Sequence, residues 1–248
     1  MNNQKIFFAS DFHLGAPNQK SSLLREKNIV RWLNSIENEA KEIYLLGDIF
    51  DFWFEYSKVV PKGFVRLLGK LAELCDKGIQ VHLFTGNHDM WTKNYLEEEI
   101  GLKLYHKPQI IEFEDIKIFL GHGDGLGKGD YKYKVLKTIF QSTICNWLFS
   151  RIHPNLAISI GQKWSDLSRG NQPIEKDIDF EKEQLFQYCK EQQKLKKVNF
   201  YLFGHRHIPM EIPLNDSFNA KYINLGDWIT FNSYAVLHNS TIELKKFK

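Results

Sequence analysis

The sequence is poor in cysteine: three among 248 residues, Cys75, Cys145 and Cys189, far apart and never as a CxxC pair. That odd count and spacing exclude a disulfide framework and a thiolate metal site, and leave three buried, small apolar side chains in a reducing compartment. Long apolar runs are lacking too; none approaches the roughly 18 residues of a membrane-crossing helix. The opening MNNQKIFFASD passes directly into a strand pattern, so no signal peptide is expected. Neither sign of charge dominates. With 33 basic and 30 acidic residues the net charge is +3, too balanced to point to nucleic acid. What is present is ordinary for a globular chain, 43% hydrophobic and 25% charged, enough for a core without disulfides. The length suits one α/β domain spanning 1–248, and a cytoplasmic protein is expected.

Strand and helix patterns alternate. Lys5–Ser10 is a short apolar run ending at Asp11, and Glu42–Leu46 a second, stopped by Gly47-Asp48. Gln80–Phe84 ends at Gly86-Asn87-His88-Asp89, Lys117–Leu120 at Gly121-His122, and Asn199–Phe203 at Gly204-His205. Between them Ser21–Ala40 and Phe64–Lys77 carry helical spacing, the latter with Gly78 placed to end it. Such alternation predicts a sheet rich in parallel pairs, with ligands at the carboxyl ends of its strands. Tyr222–Leu225 and Tyr234–Leu237 read as closing antiparallel strands around a Gly226-Asp227 turn, and Lys245-Lys246-Phe247-Lys248 as a solvated tail. Residues 128–182 break the rhythm. Val135, Leu136, Ile139, Phe140, Ile144, Trp147 and Leu148 form a helical apolar stripe, and Leu156–Leu167 adds Ile158, Ile160 and Trp164. This stripe either packs on the sheet or stands over the site; its place between two polar turns favours a helical cap insertion.

The same device recurs five times: an apolar strand, then a turn bearing Asp, Asn or His. Asp11 and His13 at i and i+2 of an extended segment would share one side. Asp48 can bridge two cations, Asn87 offers a neutral oxygen beside His88, and His122, His205 and His207 add imidazoles. Asp51 reads as a supporting residue. Mixed Asp, Asn and His donors suit Mn²⁺, Fe²⁺ or Zn²⁺. Two such cations clamp a phosphoryl oxygen and lower the pKa of a water between them. Each turn alone is also what a solvated loop looks like, with Asn and Asp satisfying backbone groups. Five of the nine histidines fall in these turns, in order and each after a strand, which chance does not explain.

The series DxH, GDxxD, GNHD, GHG and GHxH, from Asp11 to His207, resembles the calcineurin-like metallophosphoesterases. The resemblance implies a four-layer α/β sandwich, two mixed sheets flanked by helices with a helical cap insertion. It implies that Asp11, His13, Asp48 and His207 hold one metal, and Asp48, Asn87, His122 and His205 the other. His88 is then the catalytic group that polarises the phosphate or protonates the leaving oxygen, and Asp89 the partner that orients it.

Within that family Asp11-Phe12-His13-Leu14-Gly15, Gly47-Asp48-Ile49-Phe50-Asp51-Phe52-Trp53 and His122-Gly123-Asp124, followed by Leu126 and Asp130-Tyr131, are similar to the UDP-2,3-diacylglucosamine diphosphatases. So is GHxH followed by Pro209. Members of that group hydrolyse the pyrophosphate of UDP-2,3-diacylglucosamine to 2,3-diacylglucosamine 1-phosphate and UMP in lipid A biosynthesis, with Mn²⁺ as the usual cofactor, at the inner-membrane surface. The resemblance implies a nucleotide-sugar lipid substrate contacted by Asn87, His88, His122, Asp130, Ser168, Arg169 and His205, the insertion receiving its acyl chains. Asp130 is also placed to cap a helix, and Ser168, Arg169 and Asn171 can equally be a plain loop. Lys132, Lys134, Lys137, Arg151 and Lys163 would rim the apolar stripe. One departure stands out: the better-known branch has Arg where this chain has His88. The alternative is a metallophosphoesterase acting on another nucleotide, phosphodiester or phosphoprotein.

Overall fold

The computed structural model describes residues 5–170, 181 and 183–248, with the side chains of 168–170 excepted. β1 (Lys5–Ala9), β2 (Ala40–Leu46) and β3 (Gln80–Phe84) are near-continuous apolar runs because both their faces are covered. Phe7, Ala9, Ile43 and Leu45 pack with Trp32 and Leu33 of α1 (Gln19–Ile36) and Leu67 and Leu71 of α2 (Val65–Asp76). The alternate residues Ile6, Phe8, Tyr44 and Leu46 join Ile118, Leu120, Leu202 and Ile223 from a second sheet. A third apolar layer sets Leu185, Phe186 and Cys189 of α6 (Gln184–Lys196) against Phe119, Tyr201 and Phe203. The expected four layers follow: helices, sheet, sheet, helix.

The first sheet runs β11-β10-β1-β2-β3-β4, adding β4 (Lys103–Tyr105), β10 (Ser233–His238) and β11 (Thr241–Lys246). The second is β5-β6-β7-β9-β8: β5 (Gln109–Phe113), β6 (Ile116–Leu120), β7 (Phe200–Phe203), β9 (Lys221–Leu225) and β8 (Pro209–Pro213). Inner pairs are parallel, β1 with β2, β2 with β3, β6 with β7, and β7 with β9; β10, β11, β5 and β8 run antiparallel to their neighbours.

Several expectations change here. Tyr222–Leu225 and Tyr234–Leu237 are strands, but they belong to different sheets and do not pair with each other. Lys245 and Lys246 lie in β11, and Phe247 stacks towards Trp228 with ring centroids 6.2 Å apart, so the carboxyl end is not a solvated tail. Cys75 and Cys145 are half-buried; only Cys189 is fully inside.

Between β6 and α6 lie α3 (Tyr131–Gln141), α4 (Thr143–Phe149) and α5 (Pro154–Gly170). They meet the body through Phe149, whose ring centroid is 4.8 Å from that of Phe54 and 5.2 Å from that of Trp91. Trp91 Nε1 donates to Phe140 O at 2.8 Å. The stripe itself does not pack on the sheet: Val135, Ile139, Ile144, Leu148 and Leu156 are all exposed, with Trp147 at 56% and Trp164 at 53%. Among the described residues no helix is long and apolar enough to cross a membrane.

Candidate metal centre

The turns after β1, β2 and β3 carry Asp11 and His13, Asp48, and Asn87 and His88; those after β6 and β7 carry His122, and His205 and His207. Three turns therefore come from one sheet and two from the other, facing each other across the inner core. Cross-sheet bonds hold them together. His122 Nδ1 donates to Leu46 O at 2.8 Å, and the His205 N–H donates to the Asp11 carboxylate at 3.0 and 3.2 Å. Glycine is required at two approach points. A side chain at Gly86 would collide with the Asp48 carboxylate and backbone, and one at Gly204 with the Asp11 carboxylate.

Five of the seven expected ligands adopt left-handed backbone: Asp11 (φ 55°), His13 (44°), Asp48 (53°), His205 (69°) and His207 (57°). Asp11 and His13 converge through this conformation, not through the extended spacing that the sequence suggested. A non-glycine residue there carries a cost of about 1–2 kcal/mol, sustained only where the surroundings enforce it.

The donors gather closely. His13 Nε2 is 3.8 Å from Asp11 Oδ1 and 3.7 Å from Asp48 Oδ2. His207 Nε2 is 3.5 Å from Asp11 Oδ1. His122 Nε2 lies 3.2 Å from both Asp48 Oδ2 and Asn87 Oδ1, and its ring centroid is 5.2 Å from that of His205. Asp11, His13 and His207 form one group with ligand atoms within 4.8 Å of each other; Asp11, Asp48 and His122 form another. Divalent cations fit this donor set. Among the described residues the charged partners of the buried Asp11 and Asp48 are all histidines, and the fully buried His13 has no hydrogen-bond partner at either ring nitrogen. Buried carboxylates and an orphaned imidazole are costly unless a cation is shared among them.

Charge sets the protonation around this centre. Burial works against a charged His122, but Asp48, with Asp11 and Asp124 adding to it, pushes it up to about 10. Burial, with His122 next, pushes His205 down to about 4. His88 also falls to about 4, chiefly through burial and against the pull of Asp48. A metal ion would compete with the protons that Asp48 recruits, so its binding is tied to proton release.

Several supporting residues were not singled out by sequence. Arg25 of α1 donates at 2.6 Å to the carbonyls of Phe12, His13 and Ala16. Asp227, read only as part of a turn, lies 3.4 Å from His207 Nδ1 and accepts from the Thr230 and Phe231 N–H groups. Asp51 Oδ1 sits 3.4 Å from His13 Nδ1, and Asp51, His13 and His88 form a third group with ligand atoms within 4.8 Å of each other. Asp89 does not orient His88. It accepts from the Gly86 and Ile49 N–H groups at 2.6 and 2.8 Å and so ties two turns together, while burial and then Asp48 push its carboxyl up to about 7. The neighbours of His88 Nδ1 are Asp51 O at 3.0 Å and Ser165 Oγ at 2.8 Å. No pattern of charge or turn chemistry marks Ser165.

Asp124 receives Lys137 Nζ at 2.5 Å and the Tyr133 hydroxyl at 2.6 Å, and Lys134 donates to Gly127 O. Of the five basic residues expected to rim the stripe, Lys134 and Lys137 therefore turn to the loop before α3; Lys132, Arg151 and Lys163 remain exposed. Asp130 opens α3 in left-handed backbone (φ 45°), exposed and making no side-chain capping bond, so it is not the helix cap it resembled. Ser168 and Arg169 have side chains outside the described residues, and Asn171 lies outside them altogether.

Known proteins are similar to this chain over nearly its whole length. A UDP-2,3-diacylglucosamine hydrolase from Porphyromonas gingivalis is 36% identical over 98% of this chain and 98% of its own length. Proteins of the same name from Tolumonas auensis (28%, 97% of this chain and 95% of that one) and Histophilus somni (26%, 91% and 92%) are also similar. The model of the calcineurin-like phosphoesterases matches residues 4–209, the stretch that contributes every donor above. Two sheets meeting at five turns that carry Asp, Asn and His, together with that match, place the chain in the calcineurin-like phosphoesterase family.

Proposed function

We propose that this enzyme hydrolyses the pyrophosphate of UDP-2,3-diacylglucosamine, yielding 2,3-diacylglucosamine 1-phosphate and UMP. The observation that carries the reading is the end-to-end similarity to the Porphyromonas gingivalis hydrolase, which includes the three helices between β6 and α6. Asp11, His13, Asp48 and His207 would hold one divalent cation, and Asp48, Asn87, His122 and His205 a second; Mn²⁺, Fe²⁺ or Zn²⁺ suits these donors. Bound there, the cations supply Lewis-acid charge to the phosphoryl oxygens and a water of lowered pKa.

The chain's own part is to bind, orient and move a proton. The Asp51 carbonyl can only accept, so His88 carries a proton on Nδ1 and presents Nε2 to the site. A phosphate beside it favours the imidazolium, which can give the Nε2 proton to the leaving oxygen. His88→Ala would leave the metals in place and lower kcat by roughly 10²–10⁴.

Helices α3–α5, which fall within the segment 128–182, would form a cap whose exposed apolar face meets the acyl chains. The same face, with Lys132, Arg151 and Lys163 beside it, suits the surface of an anionic membrane. Asp130, Ser168 and Arg169 would contact the sugar or pyrophosphate together with Asn87, His88, His122 and His205. Rates on UDP-2,3-diacylglucosamine, UDP-glucose and a simple phosphomonoester test the reading. A large preference for the acylated substrate is expected; equal rates on the unacylated compounds would overturn it.

A further inference from the structure

Among the described residues, Ser165 Oγ to His88 Nδ1 at 2.8 Å is a direct polar contact between the catalytic turn and the inserted helices. Ser165 belongs to α5, and its side chain is buried although that helix is exposed along much of its length. The reason lies in the helix face. Ala157, Gly161 and Ser165 are spaced i, i+4 and i+8 and are all buried, a seam of small residues along one side. At Gly161 the approach is so close that a Cβ would fall within the ring of Phe52, four residues after Asp48. The same turn supplies Asp51 O, the second neighbour of His88 Nδ1. The ring is thus gripped at its Nδ1 end from two sides, by the turn that carries Asp48 and by α5.

We infer that Ser165 is a positioning residue for His88, so that Nε2 is aimed at the leaving oxygen only when α5 is seated on Phe52. The Nδ1–H is shared between the Asp51 carbonyl and the Ser165 hydroxyl oxygen. Losing the second acceptor leaves the ring free to turn about one remaining bond. Side-chain aim is steeply rewarded in catalysis: a misplacement of about 1 Å can cost on the order of 10²-fold. Because Ser165 reaches His88 from the helices proposed to receive the acyl chains, seating of those helices and proton transfer become one event. This inference rests on His88 acting on the leaving oxygen.

A double-mutant cycle on the metal-loaded enzyme tests it, with kcat and KM measured for the parent, Ser165→Ala, His88→Ala and the double variant. Ser165→Ala is expected to lower kcat by about tenfold with KM and metal content unchanged, and to have no further effect once His88 is alanine. Gly161→Ala, which lifts α5 from Phe52, is expected to lower kcat in the same way and to add little to Ser165→Ala. Equal effects of Ser165→Ala with and without His88 would overturn the inference, as would a rise in KM at constant kcat, the mark of a direct substrate contact. If His88→Ala itself leaves kcat untouched, the fault lies with the role given to His88, and the proposed mechanism fails first.

Discussion

Single residues carry the strain of this site. Asp11, His13, Asp48, His205 and His207 are all held at positive φ without being glycine, and at about 1–2 kcal/mol each the sum rivals the stability of a small domain. Something must hold them, and for the first turn it is Arg25. Its planar guanidinium spans three carbonyls at 2.6 Å, those of Phe12, His13 and Ala16, from inside the protein. A lysine presents a point charge on a flexible stem and cannot match that fork. Arg25→Met leaves the three carbonyls without this donor and is expected to destabilise the fold by about 3 kcal/mol, or roughly 6–12 °C in Tm at this size. Arg25→Lys should fall between. A Tm for Arg25→Met equal to that of the parent would show that the turn holds its shape unaided. None of this was legible in the sequence, where Arg25 sits in a helix pattern with nothing to tell a buried guanidinium from a solvated one. The candidate donors themselves were legible, because hard donors after apolar strands form a pattern of types and order that does not depend on backbone geometry.

At the scale of elements, the strands that the sequence showed are the inner ones. β1, β2, β3, β6 and β7 are covered on both faces and read as apolar runs. Those that escaped notice, β4, β5, β8 and β11, are the four sheet edges. An edge strand meets water along one side, so KLY, QIIEF, PMEIP and TIELKK mix charge or proline into the run and lose its signature. The helices between β6 and α6 pose the opposite problem. Their apolar stripe was plain, but periodicity alone does not say whether a stripe is buried. The structure leaves much of it exposed, including Val135, Ile139, Ile144, Trp147, Leu156 and Trp164, and a large exposed apolar surface on a globular protein marks a place that meets lipid, ligand or partner. Arg151 over the Trp147 ring at 4.9 Å places a cation beside that patch. Pairing Trp147→Glu with Trp164→Glu should reduce sedimentation with vesicles containing anionic lipid and raise KM for the acylated substrate presented in them. Hydrolysis of a small chromogenic phosphodiester should stay as it was. Unchanged vesicle binding and KM would remove the lipid-facing role from this face.

The whole molecule is assembled around its centre more than around either sheet alone. Asp11 and His205 are 194 residues apart, yet the His205 N–H donates to the Asp11 carboxylate, and His122 reaches from the second sheet to Leu46 of the first. The sequence displayed the five turns in order, but the distribution of three on one sheet and two on the other depends on strand pairing over such separations, which no local pattern encodes. One consequence is energetic. Asp11 and Asp48 are buried carboxylates whose charged partners among the described residues are histidines contributed by both sheets. Divalent cations held there would join the two sheets and bind only the folded chain. Ligand present at about a thousand times its Kd adds about 4 kcal/mol to stability, which for a chain of this length is about 8–16 °C in Tm. Treatment with a strong chelator should lower Tm by that order, and Mn²⁺ should restore it together with activity. In Asp48→Ala, which lacks the carboxylate lying 3.7 Å from His13 and 3.2 Å from His122, the metal-dependent part of the shift should vanish even if the variant still folds. Identical melting of chelated and Mn²⁺-loaded parent protein, with metal content checked by elemental analysis, would mean that the cations are not what binds the sheets at this edge. The hydrogen bonds from His205 to Asp11 and from His122 to Leu46 would then have to hold the two sheets there by themselves.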